Sequence, residues 1–305
     1  MAKIYFITII TLIFTIIHTT MADEWDNPQV FFNKKSENIT WAHAVNSQQK
    51  LQESLSNDAI MMLEADVSLI DGNDSTPMMA HSSKDKSDLS LEKFIETVII
   101  SNNKTKKGIK LDFKTIEAFN ASHAVLQKQG PNMTFPVFLN ADILKGHLNA
   151  TKTPVDADAF LTSAVKILPK SILSIGWTTP DTMKGLKANE SYTKENIDAM
   201  LEKIKMITST QPITYPVRAN LAVNSISVLS DLIEKSKNNN ASLTIWTAKD
   251  DTFNKTLLDK LIKDIGSDKV YVDLPTDKPK SSAIRFGANT IGITLTLLLV
   301  INGLF

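Results

Sequence analysis

A chain of 305 residues with a formal net charge of +0 is long enough for two small domains or one large α/β barrel. Its 33 Lys and Arg balance 33 Asp and Glu without forming a basic stripe, which argues against nucleic acid as a partner. A hydrophobic fraction of 43% excludes a disordered chain. Because the chain contains no cysteine, its stability must come from a sizeable core rather than from disulfides.

The first segment has the features of a secretory signal peptide. Lys3 precedes the apolar run Ile4–Ile17, and small residues follow it through Ala22. Residues 1–22 are therefore predicted to be a signal peptide, which implies a secreted chain. A membrane anchor is the alternative, disfavoured because the run is short and no basic stop-transfer segment follows. Nine Asn-x-Ser/Thr sequons agree with secretion and glycosylation: Asn38, Asn73, Asn103, Asn120, Asn132, Asn149, Asn189, Asn240 and Asn254.

The last segment, residues 281–305, is typical of a GPI-anchor signal. Ser281, Ser282 and Ala283 are small residues, and a short spacer leads to the apolar tail Ile291–Phe305. This tail falls short of the roughly 20 residues that span a bilayer. We therefore expect the protein on the extracellular face of the plasma membrane, held by its C-terminal anchor, or secreted. A tail anchor and a buried terminal helix are the alternatives.

Residues 23–280 are predicted to form one domain in which β-rich runs alternate with amphipathic stretches. Eight strands in about 250 residues favour an α/β fold, a single (β/α)8 TIM-type barrel, over an open doubly wound sheet. Asn46 and Thr193 are predicted helix N-caps. The predicted strands are Ile39–Ala44, Ile60–Val67, Gly108–Phe113, Phe135–Asn140, Ser171–Trp177, Ile213–Ala219, Ser242–Thr247 and Lys269–Asp273. The predicted helices are Ser47–Ser56, Leu89–Ser101, Thr115–Lys128, Asp156–Leu168, Thr193–Thr208, Asn220–Lys237 and Asp251–Ile265.

Three carboxylates lie at the ends of adjacent predicted strands. In "IMMLEADVSLI", Glu64 and Asp66 share one strand face, and Asp112 follows in "GIKLDFK". Two acids side by side on a largely buried strand repel each other unless a cation neutralises them. The pattern predicts an oxygen-ligand site for Mg²⁺ or Ca²⁺. The alternative is an ion-pair network in which Lys110 and Lys114 neutralise the acids.

Two histidines and a lysine are candidate catalytic residues at the same strand ends. His43 ends "ITWAH" and His81 ends "PMMAH", so they flank the acidic pair in sequence. Near a phosphodiester, one imidazole could act as nucleophile or base and the other as acid. Lys114 could bind the phosphate or stabilise its developing charge. A hydrogen-bonded structural role is the alternative for either histidine, and a snorkelling surface position is the alternative for the lysine.

Four further residues at strand ends are candidates for binding substrate. Asn140 ends the fourth predicted strand, and Arg218 in "TYPVRAN" could clamp an anion. The alternative for this arginine is a structural ion pair with Asp273 or another acid. Trp177 and Trp246 could form an apolar wall for the substrate, with a place in the core as their alternative.

These residues together resemble the phosphatidylinositol-specific phospholipase C-like superfamily, which includes the glycerophosphodiester phosphodiesterases. That superfamily carries His-Arg, Glu-x-Asp, His and acid-x-Lys elements, which correspond here to His43, Glu64-Ala-Asp66, His81 and Asp112-Phe113-Lys114. More closely, the chain is similar to the menorin family. The stretches that carry this resemblance are "TWAHAVNS", "MMLEADVSL", "PMMAH", "KGIKLDFK", "FPVFLNADIL", "LSIGWTT", "TYPVRA" and "LTIWTAKDD".

The resemblance implies a metal-dependent phosphodiesterase-type barrel, with the metal on the three acids and acid/base or nucleophilic roles for the two histidines. One departure is Ala44, which stands where glycerophosphodiesterases have an arginine, so glycerophosphodiester is a doubtful substrate. Two hypotheses follow. The chain is a phosphodiesterase acting on a lysophospholipid or lipid headgroup, or it is a non-catalytic cell-surface adhesion or signalling module that binds receptor proteins and patterns dendrites or other tissue.

Overall fold

The structure is a computed structural model that describes residues 26–146, 150–183, 189–207, 209–248 and 251–274. The predicted signal peptide and the predicted anchor signal lie outside these residues. No helix in the described ranges combines the length and hydropathy needed to cross a bilayer. The helices are α1 Pro28–Phe32, α2 Gln48–Ser56, α3 Leu91–Ser101, α4 Ile116–Gln129, α5 Ala157–Ile167, α6 Lys194–Ile204, α7 Ala219–Ala222, α8 Ile226–Lys235 and α9 Lys255–Ile265. The strands are β1 Trp41–Ala42, β2 Met62–Ile70, β3 Asn73–Met79, β4 Gly108–Phe113, β5 Val137–Leu144, β6 Ile172–Trp177, β7 Ile213–Arg218, β8 Ser242–Trp246 and β9 Val270–Asp273.

Eight parallel strands form one sheet in the sequential order β1-β2-β4-β5-β6-β7-β8-β9. The order never reverses, as it would in a doubly wound sheet, and helices lie between most successive strands. The two edge strands meet through side chains. The rings of Trp41 and Tyr271 lie 6.3 Å apart, and His43 Nδ1 lies 3.3 Å from Asp273 Oδ2. The prediction of a (β/α)8 barrel is therefore confirmed.

The structure differs from the predicted elements at several places. Strand β3 was not predicted, because its sequence "NDSTPMM" is polar and contains a proline. It pairs with β2 in the antiparallel direction, and Met78 also forms a single bridge with Ser90. A proline is tolerated in such an edge strand. The predicted helix Asn220–Lys237 is two helices, α7 and α8. Between them the hydroxyl of Ser225 donates to Leu221 O and accepts from Tyr192 N.

One of the two predicted helix N-caps is wrong. Ser47, and not Asn46, caps α2 by accepting a hydrogen bond from Lys50 N. The Asn46 side chain bonds instead to Asp66. Thr193 caps α6 as predicted, and Asn196 completes a capping box with it.

The inward-facing side chains of the barrel change from apolar to polar along its axis. On β2, Met62, Glu64 and Asp66 share the inner face, because alternate residues of a strand point the same way. One level of the barrel pairs Glu64 in register with Lys110, and the next pairs Asp66 with Asp112. The polar levels thus lie toward the C-terminal ends of the strands, where TIM-barrel enzymes carry their sites. Below them, a buried apolar cluster fills the floor of the barrel: Ile39, Met62, Phe138, Ile172 and Tyr271.

Candidate metal centre

Glu64, Asp66 and Asp112 come together at the C-terminal ends of β2 and β4. One carboxylate oxygen of each residue lies within 4.8 Å of the other two. Glu64 and Asp66 are buried, and Asp112 is partly buried. Three carboxylate oxygens form the hard donor set that Mg²⁺ and Ca²⁺ prefer, so the residues fit the group that was predicted. The identity of the ion stays a prediction.

The segment after β1 fixes the orientation of the first two acids. Ala44 has a φ of 51°, and its backbone N–H donates to Glu64 Oε2 at 2.7 Å. Asn46 Nδ2 donates to Asp66 Oδ2 at 2.7 Å, and Asn46 Oδ1 accepts from the backbone N–H of Asp66 at 3.0 Å. This left-handed turn at an alanine is a strained conformation that places two donors against the acids.

A chain of hydrogen bonds from two further strands orients Asp112. Asn140 Nδ2 donates to Asp112 Oδ1 at 2.6 Å, and Ser174 Oγ donates to Asn140 Oδ1 at 2.5 Å. The three residues lie in register on β4, β5 and β6. Asn140 was predicted to bind substrate, but both ends of its amide bond to protein. The structure therefore makes it a residue that positions Asp112.

Lys114 forms ion pairs with two of the three acids. Its Nζ lies 2.5 Å from Asp66 Oδ1 and also contacts Asp112 Oδ2. Burial lowers the pKa of Lys114, but Asp112 and Asp66 outweigh burial and raise this pKa above its usual range. These contacts agree with the alternative prediction, in which lysines neutralise the acids through ion pairs. Lys110 is buried beside the acids. Its charge opposes the rise in the pKa of Glu64 and helps to lower the pKa of Asp112.

The electrostatic field of the centre separates the pKa values of its acids. Burial raises the pKa of Glu64 to about 7, opposed by His43 and reinforced by Asp66. Burial also raises the pKa of Asp112, but Lys114 and Lys110 outweigh it and hold the pKa below its ordinary value. The centre thus combines one carboxyl group whose pKa is raised with one whose pKa is lowered.

His43 lies at the closure of the barrel, between two acids. Its Nδ1 is 3.4 Å from Glu64 Oε2 and 3.3 Å from Asp273 Oδ2. Glu64 raises the pKa of His43 to about 9; burial opposes this shift and Asp273 supports it. The side chain is 54% exposed, so its ring remains accessible from solvent. A hydrogen on Nδ1 suits these two acceptors, and Nε2 is then the ring nitrogen left to exchange protons.

A cavity of about 430 Å³ opens beside the centre. Asp112 and Lys114 line it from the metal side, and the exposed His81 lines it from the segment after β3. The backbone holds this segment close, because Ala80 N donates to Asp66 O at 2.9 Å. The other lining residues are Ser68, Leu69, Ser82, Ser83, Phe113, Thr115, Asp142, Lys152, Thr153, Val155 and Thr178.

Arg218 has a structural position. Its side chain is buried, and Nε and Nη2 donate to the two carboxylate oxygens of Asp251 at 2.6 and 2.7 Å. Nη1 donates to Pro180 O at 2.5 Å. The anion clamp predicted for this arginine is therefore not retained. The alternative of an ion pair is what the structure shows, and the partner is Asp251 rather than Asp273.

The two tryptophans do not form a common wall. Trp177 is buried, with its ring 5.3 Å from Tyr192 and 6.4 Å from Tyr215, so it belongs to the core. Trp246 is partly exposed, and the guanidinium carbon of Arg218 lies 5.4 Å from its ring centroid. Neither tryptophan lines the cavity. Contact of either tryptophan with a substrate stays a prediction.

The sequence reasoning missed Asn46, Asp142 and Lys152. Asp142 follows Asn140 by two residues on β5, and that spacing could have placed it on the inner face. Burial raises the pKa of Asp142 to about 7, with Asp112 adding to the shift. Lys152 lies in a loop without a local pattern, and Asn46 looked like a helix cap. No sequence signal identified these two.

Fold and site together define a (β/α)8 barrel with an acidic, oxygen-donor centre at the C-terminal ends of its strands. The chain matches the Menorin N-terminal domain over residues 35–279, and it belongs to the menorin family. Human Protein FAM151B is 39% identical over 222 residues, which cover 70% of this chain and 74% of that protein.

Solved structures with some likeness to the barrel are much more distant in sequence. One is a 2,3-dimethylmalate lyase, with a TM-score of 0.44, 10% identity, and coverage of 83% of this chain and 80% of that chain. Another is a putative glycerophosphodiester phosphodiesterase from Galdieria sulphuraria, with a TM-score of 0.43 and 10% identity. That match covers 79% of this chain and 94% of the other.

Proposed function

We propose that this chain is an extracellular, metal-dependent phosphodiesterase that acts on a lysophospholipid or a related lipid headgroup. The observation that supports the proposal most directly is the grouping of Glu64, Asp66 and Asp112, with carboxylate oxygens within 4.8 Å of one another. Asp112, Lys114 and His81 then line one cavity, so acids, a cation and an imidazole face the same space.

The three acids would hold Mg²⁺ or Ca²⁺. A bound divalent cation supplies positive charge that stabilises the negative charge developing on a phosphate. Asn46 and Asn140 hold two of the ligands in fixed orientations, as outer partners of metal ligands commonly do. The chain contributes a preformed, partly buried set of oxygens.

His43 and His81 are the groups proposed to move protons. In the reaction, an oxygen of water or of a substrate hydroxyl attacks phosphorus, and the bond from phosphorus to the leaving alcohol breaks. One imidazole takes the proton of the attacking oxygen, and the other gives a proton to the leaving oxygen. Attack by a hydroxyl of the substrate gives a cyclic phosphate, and attack by water gives a phosphomonoester.

Ala44 occupies the place of the superfamily's phosphate-binding arginine, so other cations must contact the phosphate. Arg218 is unsuited because its donors bond to Asp251 and Pro180. Lys152 and Lys114 are better placed because both line the cavity, although Lys152 also forms an exposed ion pair with Asp181 and Lys114 pairs with Asp66 and Asp112. Their long, flexible side chains carry ammonium groups that could contact a phosphate at the edge of the cavity.

The proposed location follows from the ends of the chain. A signal peptide at residues 1–22 would direct the protein out of the cell, and a GPI signal at residues 281–305 would hold it on the outer leaflet. The anchored barrel would then meet lipid headgroups directly.

The proposal is tested with the full-length chain, incubated with lysophospholipids and glycerophosphodiesters in Mg²⁺, in Ca²⁺ and in chelator. Products are followed by mass spectrometry. We expect a product that disappears with chelator and falls at least about a hundredfold in His43→Ala, the lower range for a general acid or base. The matched control is Asp198→Ala on the outer helix α6, where the side chain pairs with Lys194.

A second candidate function has its own observation. Lys114 forms ion pairs with Asp66 and Asp112, as expected of a barrel that keeps these acids for structure. Such a chain would be a cell-surface adhesion or signalling module that binds receptor proteins. Absence of any chelator-sensitive product in the assay, with normal folding, would support this module and contradict the enzyme.

A further inference from the structure

Asp142 differs from the other acids at the C-terminal end of the barrel. Within the described residues, its carboxyl group has no hydrogen-bond or ion-pair partner, although it lines the cavity. A partly buried carboxyl group without a partner is costly unless a ligand bonds to it. Every other acid around the centre is engaged by a neighbour: Glu64 by Ala44, Asp66 by Asn46, Asp112 by Asn140, Asp251 by Arg218 and Asp273 by His43.

The barrel makes room for this carboxyl group. Asp142 pairs in register with Gly176 on β6. A Cβ atom at Gly176 would lie 3.0 Å from Asp142 Oδ1 and 2.8 Å from Pro216 Cγ. Any larger residue at position 176 would therefore push against Asp142. The absence of a side chain there keeps the carboxyl group in place beside the cavity.

We propose that Asp142 contacts the substrate and accepts a hydrogen bond from a free hydroxyl on the alcohol part of the phosphodiester. The inference rests on the proposed function, since it assumes that the phosphate lies near Asp112 and Lys114. The inference adds a preference among substrates. Phosphate esters whose alcohol part has a free hydroxyl close to the ester oxygen bind more tightly than simple alkyl esters.

The lining of the cavity favours a hydroxyl over a quaternary or primary ammonium group. Phe113 is the aromatic residue of the lining, and its ring packs at 4.9 Å from that of Phe119, in the core. An aromatic cage for a cation is thus missing from the described lining. Lys152 also lines the cavity, and its ammonium group lies 3.0 Å from Asp181 Oδ1. Other lining residues carry hydroxyl groups that suit a polyhydroxylated ligand: Ser68, Ser82, Ser83, Thr115, Thr153 and Thr178.

The test compares three phosphate monoesters as probes: sn-glycerol 3-phosphate, ethyl phosphate and O-phosphoethanolamine. Their affinities for the full-length chain are measured by calorimetry in Mg²⁺. We expect glycerol phosphate to bind about tenfold more tightly than ethyl phosphate, as one additional hydrogen bond to a carboxyl group allows. Asp142→Ala should lose this preference, so that the two esters bind with about equal affinity. The exposed Asp198→Ala is the control for the change in charge.

The outcomes separate the inference from the proposed function. If no probe binds to the wild type, the phosphate site itself is contradicted and the inference fails with it. If the probes bind but the wild type shows no preference, or Asp142→Ala keeps it, only the role of Asp142 is overturned. Tighter binding of O-phosphoethanolamine than of glycerol phosphate would also overturn it, in favour of an ammonium ligand. If Asp142→Ala does not fold, the affinities of the wild type for the three phosphate esters still test the inference.

Discussion

Asp66 and Asp112 face each other in register on adjacent parallel strands, and the ammonium group of Lys114 contacts both carboxylates. The same two acids therefore form ion pairs with a lysine in the structure and are candidate ligands for a metal. A divalent cation and the ammonium group would compete for their oxygens. The Lys114 ion pairs and a bound metal would therefore use the same hard oxygen donors.

Removal of this lysine should uncover the repulsion between the acids. We expect Lys114→Met to lower the free energy of unfolding by about 3 kcal/mol in chelator, because it leaves two largely buried carboxylates without their cation. Added Mg²⁺ or Ca²⁺ should then restore more stability than in the wild type. Urea unfolding with and without metal measures both effects, and an unchanged stability in chelator would contradict the ion-pair description.

Asn140 should act on the metal through Asp112. Asn140→Ala removes the hydrogen bond to Asp112 Oδ1 and leaves Ser174 Oγ without its acceptor. Affinity for the divalent cation should fall about 10- to 100-fold, as it does when an outer partner of a metal ligand is lost. Calorimetric titration measures this loss. An equal loss of affinity for a phosphate probe in the absence of metal would instead point to direct substrate binding by Asn140.

His43 should make stability depend on pH on the alkaline side. Glu64 raises the pKa of His43 from 6.5 to about 9 in the folded state, so the folded state holds the proton more tightly than the unfolded state. This contribution to stability is fully present below about pH 6.5 and is lost as the pH rises through about 9. In chelator, His43→Asn should flatten the decline of the free energy of unfolding across that window. An identical decline in wild type and variant would contradict the contact with Glu64, and His81→Asn serves as the matched histidine control.

Arg218 and Asp251 should behave as one structural unit. Because both side chains are buried, Arg218→Leu leaves a charged Asp251 in the interior and should cost about 3–5 kcal/mol of stability. The double variant with Asp251→Leu should recover much of this loss. Chemical denaturation of the two single variants and the double variant gives the coupling energy. Full stability of Arg218→Leu, together with weaker phosphate binding, would instead restore the anion clamp.

Local patterns in the sequence were enough to predict the barrel and the acidic centre. The alternation of apolar and polar residues in "GIKLDFK" places Asp112 on the inner face, and the same period places Glu64 and Asp66 there. Parallel pairing of neighbouring strands then brings their C-terminal ends together. The grouping of the three carboxylates follows from the alternation of side chains along each strand and from the parallel pairing of the two strands.

Contacts between distant segments could not be predicted in the same way. The partner of Arg218 is Asp251, 33 residues away and outside the strands, so no period in the sequence indicates it. Asn46 precedes a helix and has the residue type of a cap, but the competing bond to Asp66 decides its position. Strand β3 escaped prediction because its proline and polar residues are tolerated only at the edge of a sheet.

The central claim is a divalent-metal site on Glu64, Asp66 and Asp112, and the most direct measurement is thermal unfolding against the concentration of Mg²⁺ and of Ca²⁺. The wild type should gain about 2.7 kcal/mol of stability at a metal concentration 100 times its Kd. Asp112→Asn should lose this gain, while Asp198→Asn on α6 should keep it. A wild type that neither metal stabilises, or an Asp112→Asn variant that gains as much as the wild type, would contradict the account.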